Sequence, residues 1–349
     1  MRKVILLLVL ACITLARPAF AADEGQKVTV EQGTLGLSKI MVAVPAKWNK
    51  HVLIYAHGLR PATDPLSAEF SVNDPLNKIL LDEGWLIAET SYRRNGWIVD
   101  DAITDLSELR QHVIDKYGKP ERIYLCGGSM GGAIVTKMAE TCQGQYDGAL
   151  AVGAALNFGA VKYSFTPEMP LLFISNQNEL AGPRQYLAKL GDVQIKPALW
   201  YLKRDGHCNL NAPEELAALR ALFAYRETGK IEDNKDATII LTPQSVARFA
   251  DGGAYAKMTG ANIDTEFTAA DLEKLGITRG KQFQVTFNEK TFTVLLGASY
   301  FDVKRGEWVA FVKADGYLKI ARNFDSVIIL LGCKAGDEIF IKPMPEETK

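Results

Sequence analysis

The sequence predicts an α/β fold with a mostly parallel sheet flanked by helices, followed by a small, mainly-β, barrel-like domain at the C-terminus. Three observations carry this. From Leu37 to about Tyr225 short apolar runs alternate with amphipathic stretches, the rhythm of strands and the helices that cover them. After residue 236 the rhythm becomes one of short alternating segments broken by Gly280, Gly297, Gly306 and Gly316, as turns between β-strands require. The length, 349 residues, allows about two domains at roughly 150 residues each.

Taken in order, the chain opens with Arg2 and Lys3, an apolar run over residues 4–16, and Ala19-Phe20-Ala21. This is a charged start, a hydrophobic stretch and a small-x-small cleavage site, so residues 1–21 read as a signal peptide and the protein as secreted or periplasmic. The run is shorter than the ~18 residues that span a bilayer. Val9-Leu10-Ala11-Cys12 only faintly resembles a lipoprotein box, because Leu10 fits it poorly. No later stretch is long enough to hold the mature chain in a membrane. A first domain is expected over 22–229, with strands at 40–44, 52–56, 86–90, 123–126, 150–154, 171–174 and 198–202. Asp74-Pro75 supplies a cap and a first-turn proline for a helix that Gly84 closes. Ile103, Leu106, Leu109, Val113 and Ile114 keep helical spacing within 100–117, and further helices are expected over 132–142 and 213–226, the latter ending at Gly229. Residues 230–236 (KIEDNKD) read as a linker. The second domain, 237–349, is expected to hold strands at 282–287, 291–295, 308–312, 327–331 and 338–341 and one helix over 269–275.

Composition narrows the function. Apolar residues at 48% and charged ones at 23% are those of a globular protein. Forty bases stand against 41 acids, but Arg2, Lys3 and Arg17 lie in the leader, leaving 37 against 41. A mildly acidic chain without a basic run is not built for nucleic acid. Past the leader only Cys126, Cys142, Cys208 and Cys333 remain, too few for a disulfide scaffold, so most are expected as buried free thiols. With four histidines and no metal-ligand spacing, neither metal nor cofactor is expected.

The informative motif is Gly127-Gly128-Ser129-Met130-Gly131, between the strand at 123–126 and a helix-forming run. A serine raised on a tight strand-to-helix turn occupies strained backbone, and its neighbours two before and two after must be nearly free of side chain. With 11 serines and 29 glycines, about 0.08 such matches are expected by chance, and Ser129 is the only one. Here the chain resembles the α/β-hydrolase family. The resemblance implies a nucleophile at Ser129, followed in chain order by an acid and a histidine. His207 is the only histidine after Ser129 and follows the last strand of the first half, where the family carries its base. For the acid, Glu140, Asp147, Glu168, Glu179, Asp192 and Asp205 are available. Glu179, in the loop after the strand at 171–174, holds the family's slot, with Asp205 as the alternative. The resemblance further implies an oxyanion hole from the amides of Met130 and of Leu59, the latter in Ala56-His57-Gly58-Leu59. His57 precedes Ser129 and is read as shaping that loop, and His51 and His112 as solvated.

The implied reaction is hydrolysis of a small-molecule or polymeric carboxylic ester through an acyl-enzyme, without cofactor. Tyr92 and Trp97, in Ser91-Tyr92-Arg93-Arg94-Asn95-Gly96-Trp97, are candidates to wall the substrate pocket, with Arg93 or Arg94 placed to meet an anionic group. The competing reading packs Tyr92 under the oxyanion loop and leaves both arginines solvated. About 15 residues separate the strands at 150–154 and 171–174, too few for a large lid. Gly-Gly-Ser-x-Gly-Gly also occurs in serine peptidases of this fold, so amide cleavage is a rival. Residues 277–342 resemble the C-terminal β domain of S-adenosylmethionine hydroxide adenosyltransferases, through Gly306-Glu307-Trp308-Val309, 315–321 and Gly336-Asp337-Glu338-Ile339. The catalytic N-terminal domain of that family is missing, so the resemblance implies a reused β-barrel. A third reading is a binding protein whose β domain holds the ligand, with Asp315, Tyr317 and Asn323 as its loop residues.

Overall fold

The computed structural model describes residues 27–345 except 159–160, 261–262 and 326, with backbone alone at 328–329. The expected signal peptide therefore lies outside the described residues. A first sheet collects β1 (Val28–Leu35), β2 (Ser38–Pro45), β3 (His51–Ala56), β4 (Leu86–Thr90), β5 (Arg122–Gly128), β6 (Gly148–Val152), β7 (Leu171–Asn176), β8 (Ala198–Leu202) and β9 (Lys235–Asp236). Their order is β1-β2-β4-β3-β5-β6-β7-β8-β9. β1 and β2 run antiparallel at one edge and the rest are parallel. Every residue of β4, β6 and β7 is buried, as continuous apolar runs in a sheet covered on both faces must be.

The covering helices are α1 (Pro75–Asp82), α2 (Val99–Tyr117), α3 (Met130–Thr141), α4 (Ala181–Ala188) and α5 (Ala212–Thr228). Leu106, Leu109 and Val113 of α2 pack with Ile134 and Met138 of α3 on one face. Leu76 and Leu80 of α1 pack with Leu219 and Leu222 of α5 on the other. Asp74 caps α1, accepting from the amide of Leu76 at 3.0 Å, while Asn211 and Glu214 form a reciprocal cap on α5. Left-handed Gly229 (φ 65°) ends α5.

The second sheet holds β10 (Arg248–Ala250), β11 (Gly253–Gly260), β12 (Asp264–Thr268), β13 (Gln282–Phe287), β14 (Lys290–Leu296), β15 (Trp308–Val312), β16 (Tyr317–Arg322) and β17 (Glu338–Pro343), with helices α6 (Ala269–Lys274) and α7 (Val327–Leu331). β11, β12, β16, β15, β14, β13 and β17 pair in that order, and β17 returns to β11, so seven strands close a barrel around Phe267, Phe283, Val285, Leu318 and Ile341.

Two expectations are corrected, and one strand is added. Residues 230–236 are not a free linker. β9 pairs with β8, Trp200 Nε1 donates to the Glu232 carbonyl at 2.7 Å, and the Leu199 amide donates to Asp233 at 2.9 Å. Polar composition hid a segment whose acids and carbonyls close the sheet edge. Residues 327–331 form α7 and not a strand, because an unbroken apolar run has no period to separate the two states. β1 was not expected, because its mostly exposed residues show no apolar run and gain order by pairing with β2.

Candidate active site

Parallel strands point their C-terminal ends to one edge, so the segments after β3, β5, β6, β7 and β8 converge there. Ser129 joins β5 to α3 with φ 58° and ψ −117°, a left-handed conformation costing on the order of 1–3 kcal/mol in a residue with a side chain. The glycines make the turn possible. A Cβ on Gly131 would run into the carbonyl oxygen of Ala56, and one on Gly132 would lie 2.8 Å from the Ala154 Cα.

His207 sits on the loop between β8 and α5. Its Nε2 lies 2.9 Å from Ser129 Oγ, and its Nδ1 is hydrogen bonded to Glu179 Oε1. The other oxygen of Glu179 accepts from the Cys208 amide at 3.2 Å, which fixes the plane of the carboxylate. Burial acts to lower the His207 pKa, but contacts with Cys208 and the Glu179 carboxylate outweigh it and hold the imidazole above its ordinary value of 6.5. Asp205 turns away from His207. It accepts from Gln177 at 3.0 Å and from Arg279 at 2.8 Å, and these partners hold its carboxyl below the ordinary value. Glu140 is elsewhere too, receiving the amides of Ser164 (2.9 Å) and Phe165 (2.8 Å) and the hydroxyl of Tyr186 (2.8 Å).

Met130 is the first residue of α3, so its amide is among those that a helix leaves without an internal acceptor. The loop carrying Leu59 passes against the serine, since a Cβ on Gly58 would lie 3.5 Å from that of Ser129. His57 braces this loop. Its ring stacks on Tyr92 at 4.0 Å and its Nδ1–H donates to the Gly58 carbonyl at 2.7 Å. Burial lowers its pKa to about 4, which keeps it neutral. Arg60, next along, pairs with buried Glu89 at 3.1 Å.

The substrate-pocket assignments divide. Tyr92 is wholly buried and its hydroxyl donates to the His57 carbonyl at 3.2 Å, so it supports the loop and walls no cleft. Arg93 is held by the buried carboxylate of Asp105 at 2.7–2.9 Å through its amide, Nε and Nη2, and is not free to meet an anion. Arg94 pairs with Asp101. Trp97 is half-buried, with its ring 4.7 Å from the exposed ring of Phe158. The reason is the burial of Asp105. It lies on the buried face of α2 beside Leu106 and Leu109, where it captures the nearest guanidinium.

The sequence reading missed several supports. Gly153 (φ 48°) admits the acid, since a Cβ there would lie 2.8 Å from Glu179 Oε2 and 2.7 Å from Cys208 Sγ. Buried Asn176 ties the acid loop to the histidine loop, accepting from the Asn209 amide at 2.9 Å and donating to its carbonyl at 3.2 Å. Asn178 accepts from the Gly206 amide at 3.0 Å. The asparagine-rich stretch after β7 was the available signal. A cavity of about 400 Å³ opens beside Gly128, lined by His57, Phe70, Asn77, Glu89 and Glu215 among others, and burial pushes both carboxyls up to about 7. Among the described residues no cluster of three His, Cys, Asp or Glu is placed to hold a metal ion, and no helix is long and apolar enough to cross a membrane.

Comparison with known proteins follows this division of the chain. Residues 94–188, which carry Ser129 and Glu179, match the family model described as serine aminopeptidase, S33. Residues 261–340 match that of the SAM hydroxide adenosyltransferase C-terminal domain. No curated protein matches the sequence. Among solved structures, an uncharacterized conserved protein from Thermotoga maritima is 22% identical with a TM-score of 0.26, over 35% of this chain and 49% of that one, about half its length. An esterase from Pyrococcus furiosus is 17% identical with a TM-score of 0.44, over 58% of this chain and 93% of that one. An acylaminoacyl peptidase from Pyrococcus horikoshii is 14% identical with a TM-score of 0.39, over 52% and 38%. The chain thus joins a mostly parallel α/β unit, similar over 94–188 to the serine aminopeptidase family, to a closed seven-stranded barrel, similar over 261–340 to the SAM hydroxide adenosyltransferase C-terminal domain.

Proposed function

We propose that the protein is an exported serine hydrolase that cleaves carboxylic esters through an acyl-enzyme, with Ser129 as nucleophile, His207 as base and Glu179 as the acid. The observation that carries the reading is the continuous array from Ser129 Oγ to His207 Nε2 at 2.9 Å and on to Glu179. Glu179 accepts from Nδ1–H, which leaves the lone pair of Nε2 facing the serine. His207 takes the hydroxyl proton as Oγ bonds to the acyl carbon, and the carbonyl π pair moves onto oxygen. The amides of Met130 and Leu59 hold the oxyanion. Collapse breaks the bond to the alcohol, which leaves with the proton from His207, and water repeats the sequence on the acyl-enzyme. The steps use only side chains, amides and water. Export rests on the pattern of residues 1–21.

Amide cleavage is the second reading, favoured by the description of the family matched over 94–188. Intact mass after treatment with a fluorophosphonate, beside Ser129→Ala, tests the common part, and a matched ester and amide separate the two readings. A single adduct missing from the variant is expected. Folded protein that takes up no adduct refutes the hydrolase reading and returns attention to the β domain as a binding module.

A further inference from the structure

We propose that the β domain supplies the leaving-group wall of the site through Phe301, and that the substrate is an ester of an apolar, aromatic alcohol. This rests on the serine-hydrolase reading above. The barrel meets the histidine loop directly. Asn209 Oδ1 accepts from the Ala314 amide at 2.7 Å, Asn211 Nδ2 donates to the Ala314 carbonyl at 3.2 Å, and Arg279 pairs with Asp205 at 2.8 Å. These contacts bracket His207 in sequence on both sides, so the loop that carries the base is fixed to Arg279, ahead of β13, on one side and to the turn after β15 on the other.

From the same barrel Phe301 reaches the base itself. Its ring lies 5.2 Å from that of His207, inclined at 67°, yet the residue is 68% exposed. The exposure is built in. The Phe301 amide donates to Ser299 Oγ at 3.2 Å, and Asp302 Oδ2 accepts from the amides of Ala298 (2.5 Å) and Ser299 (3.3 Å). Next to it, Tyr300 turns inward onto Phe311 at 5.1 Å. A capped turn thus half-buries one aromatic as its anchor and holds the next one out over the imidazole, with an apolar surface left uncovered.

Chemistry says what covers it. The leaving alcohol takes its proton from His207 Nε2, so it must sit against the imidazole, on the side where an aromatic neighbour can touch it. An aryl group there would stack on Phe301. Other apolar side chains near the serine are also left uncovered. Leu59 and Phe158 are both exposed, and Phe158 is tied to the serine through Ala155, whose amide donates to the Ser129 carbonyl at 3.0 Å. With Arg93 and Arg94 both paired to acids, neither is left free to favour a charged group.

The test uses the full chain, Phe301→Ala and Phe301→Trp, and three acetate esters: ethyl, benzyl and naphthylmethyl. All pass through the same acetyl-enzyme, so deacylation is common to them and the alcohol affects acylation alone. The expected result is that Phe301→Ala lowers the naphthylmethyl-to-ethyl ratio of kcat/KM about tenfold, mainly through KM, and that Phe301→Trp restores it. A ratio unchanged within about twofold, or an equal loss on all three esters, overturns the assignment. Fluorophosphonate labelling of the wild-type chain separates the two levels. An adduct at Ser129 with an unchanged ratio refutes the Phe301 wall alone, whereas no adduct and no turnover refute both.

Discussion

Glu179→Gln exchanges one oxygen for an NH2 and leaves the side chain's size unchanged. In the structure Glu179 accepts twice, from His207 Nδ1–H and from the Cys208 amide at 3.2 Å. Glutamine has one acceptor oxygen. If that oxygen serves Cys208, the NH2 faces Nδ1 and forces the imidazole to carry its proton on Nε2, where it can no longer accept from Ser129. If the oxygen serves His207, the NH2 opposes the Cys208 amide and the loop must move. Either outcome removes the base from most molecules, and we expect kcat/KM to fall about a thousandfold, or ~4 kcal/mol of transition-state stabilisation. The pH profile adds a second readout. As the proposed base, His207 must be neutral to act, and its pKa is held above 6.5, so activity is expected to rise with pH through a limb above that value. Losing the carboxylate moves the limb down. The same shift stabilises the fold below the unfolded value of 6.5 and is lost as pH climbs through the folded pKa, so the variant's deficit in Tm is larger on the acid side. The assay is hydrolysis of a chromogenic ester across pH, with thermal unfolding at matched pH and Glu179→Asp as partial rescue. Activity within about fivefold of wild type with an unmoved limb would refute Glu179 as the acid.

Gly131→Ala should cost about 3 kcal/mol or more and lower Tm by roughly 6–12 °C, because the new Cβ meets the Ala56 carbonyl and lies 3.0 Å from the His57 oxygen, both backbone atoms that cannot yield; an unchanged Tm contradicts this. Gly153→Ala places its Cβ 2.8 Å from Glu179 Oε2 at a φ of 48°, so turnover should drop by about tenfold or more, and wild-type activity with a normal Tm would show that the acid tolerates displacement. Glu140→Ala removes a wholly buried carboxylate that accepts four hydrogen bonds, one of them from Lys137, and calorimetry or denaturant titration should find a loss of about 3–5 kcal/mol. A loss under about 1 kcal/mol would mean that residues 163–165 do not depend on it.

The sequence by itself determined the features that local pattern encodes. Apolar runs of strand length between amphipathic stretches announce a buried parallel sheet, and the cap at Asp74 with its first-turn proline marks where a helix begins, since it acts within three or four residues. The glycines around Ser129 are legible for the same reason. They answer to a backbone clash inside one turn; chain order then singles out His207, and the slot implied by the α/β-hydrolase resemblance picks Glu179 over Asp205, and the structure brings Ser129, His207 and Glu179 into one array. Other features depended on segments far apart in the chain. Tyr92 and Trp97 sit in one short stretch with equal claims to the cleft, yet one is buried under His57 and the other reaches Phe158. Residues 230–236 look like a linker until β8 offers them a free edge. Most of all, no local signal connects Phe301 to His207, which lie 94 positions apart on loops of different sheets. Periodicity fixes which face of an element is apolar, but only the tertiary structure decides what that face meets. The contacts of Asn209 and Asn211 with Ala314 are what bring the barrel, and with it Phe301, against the base.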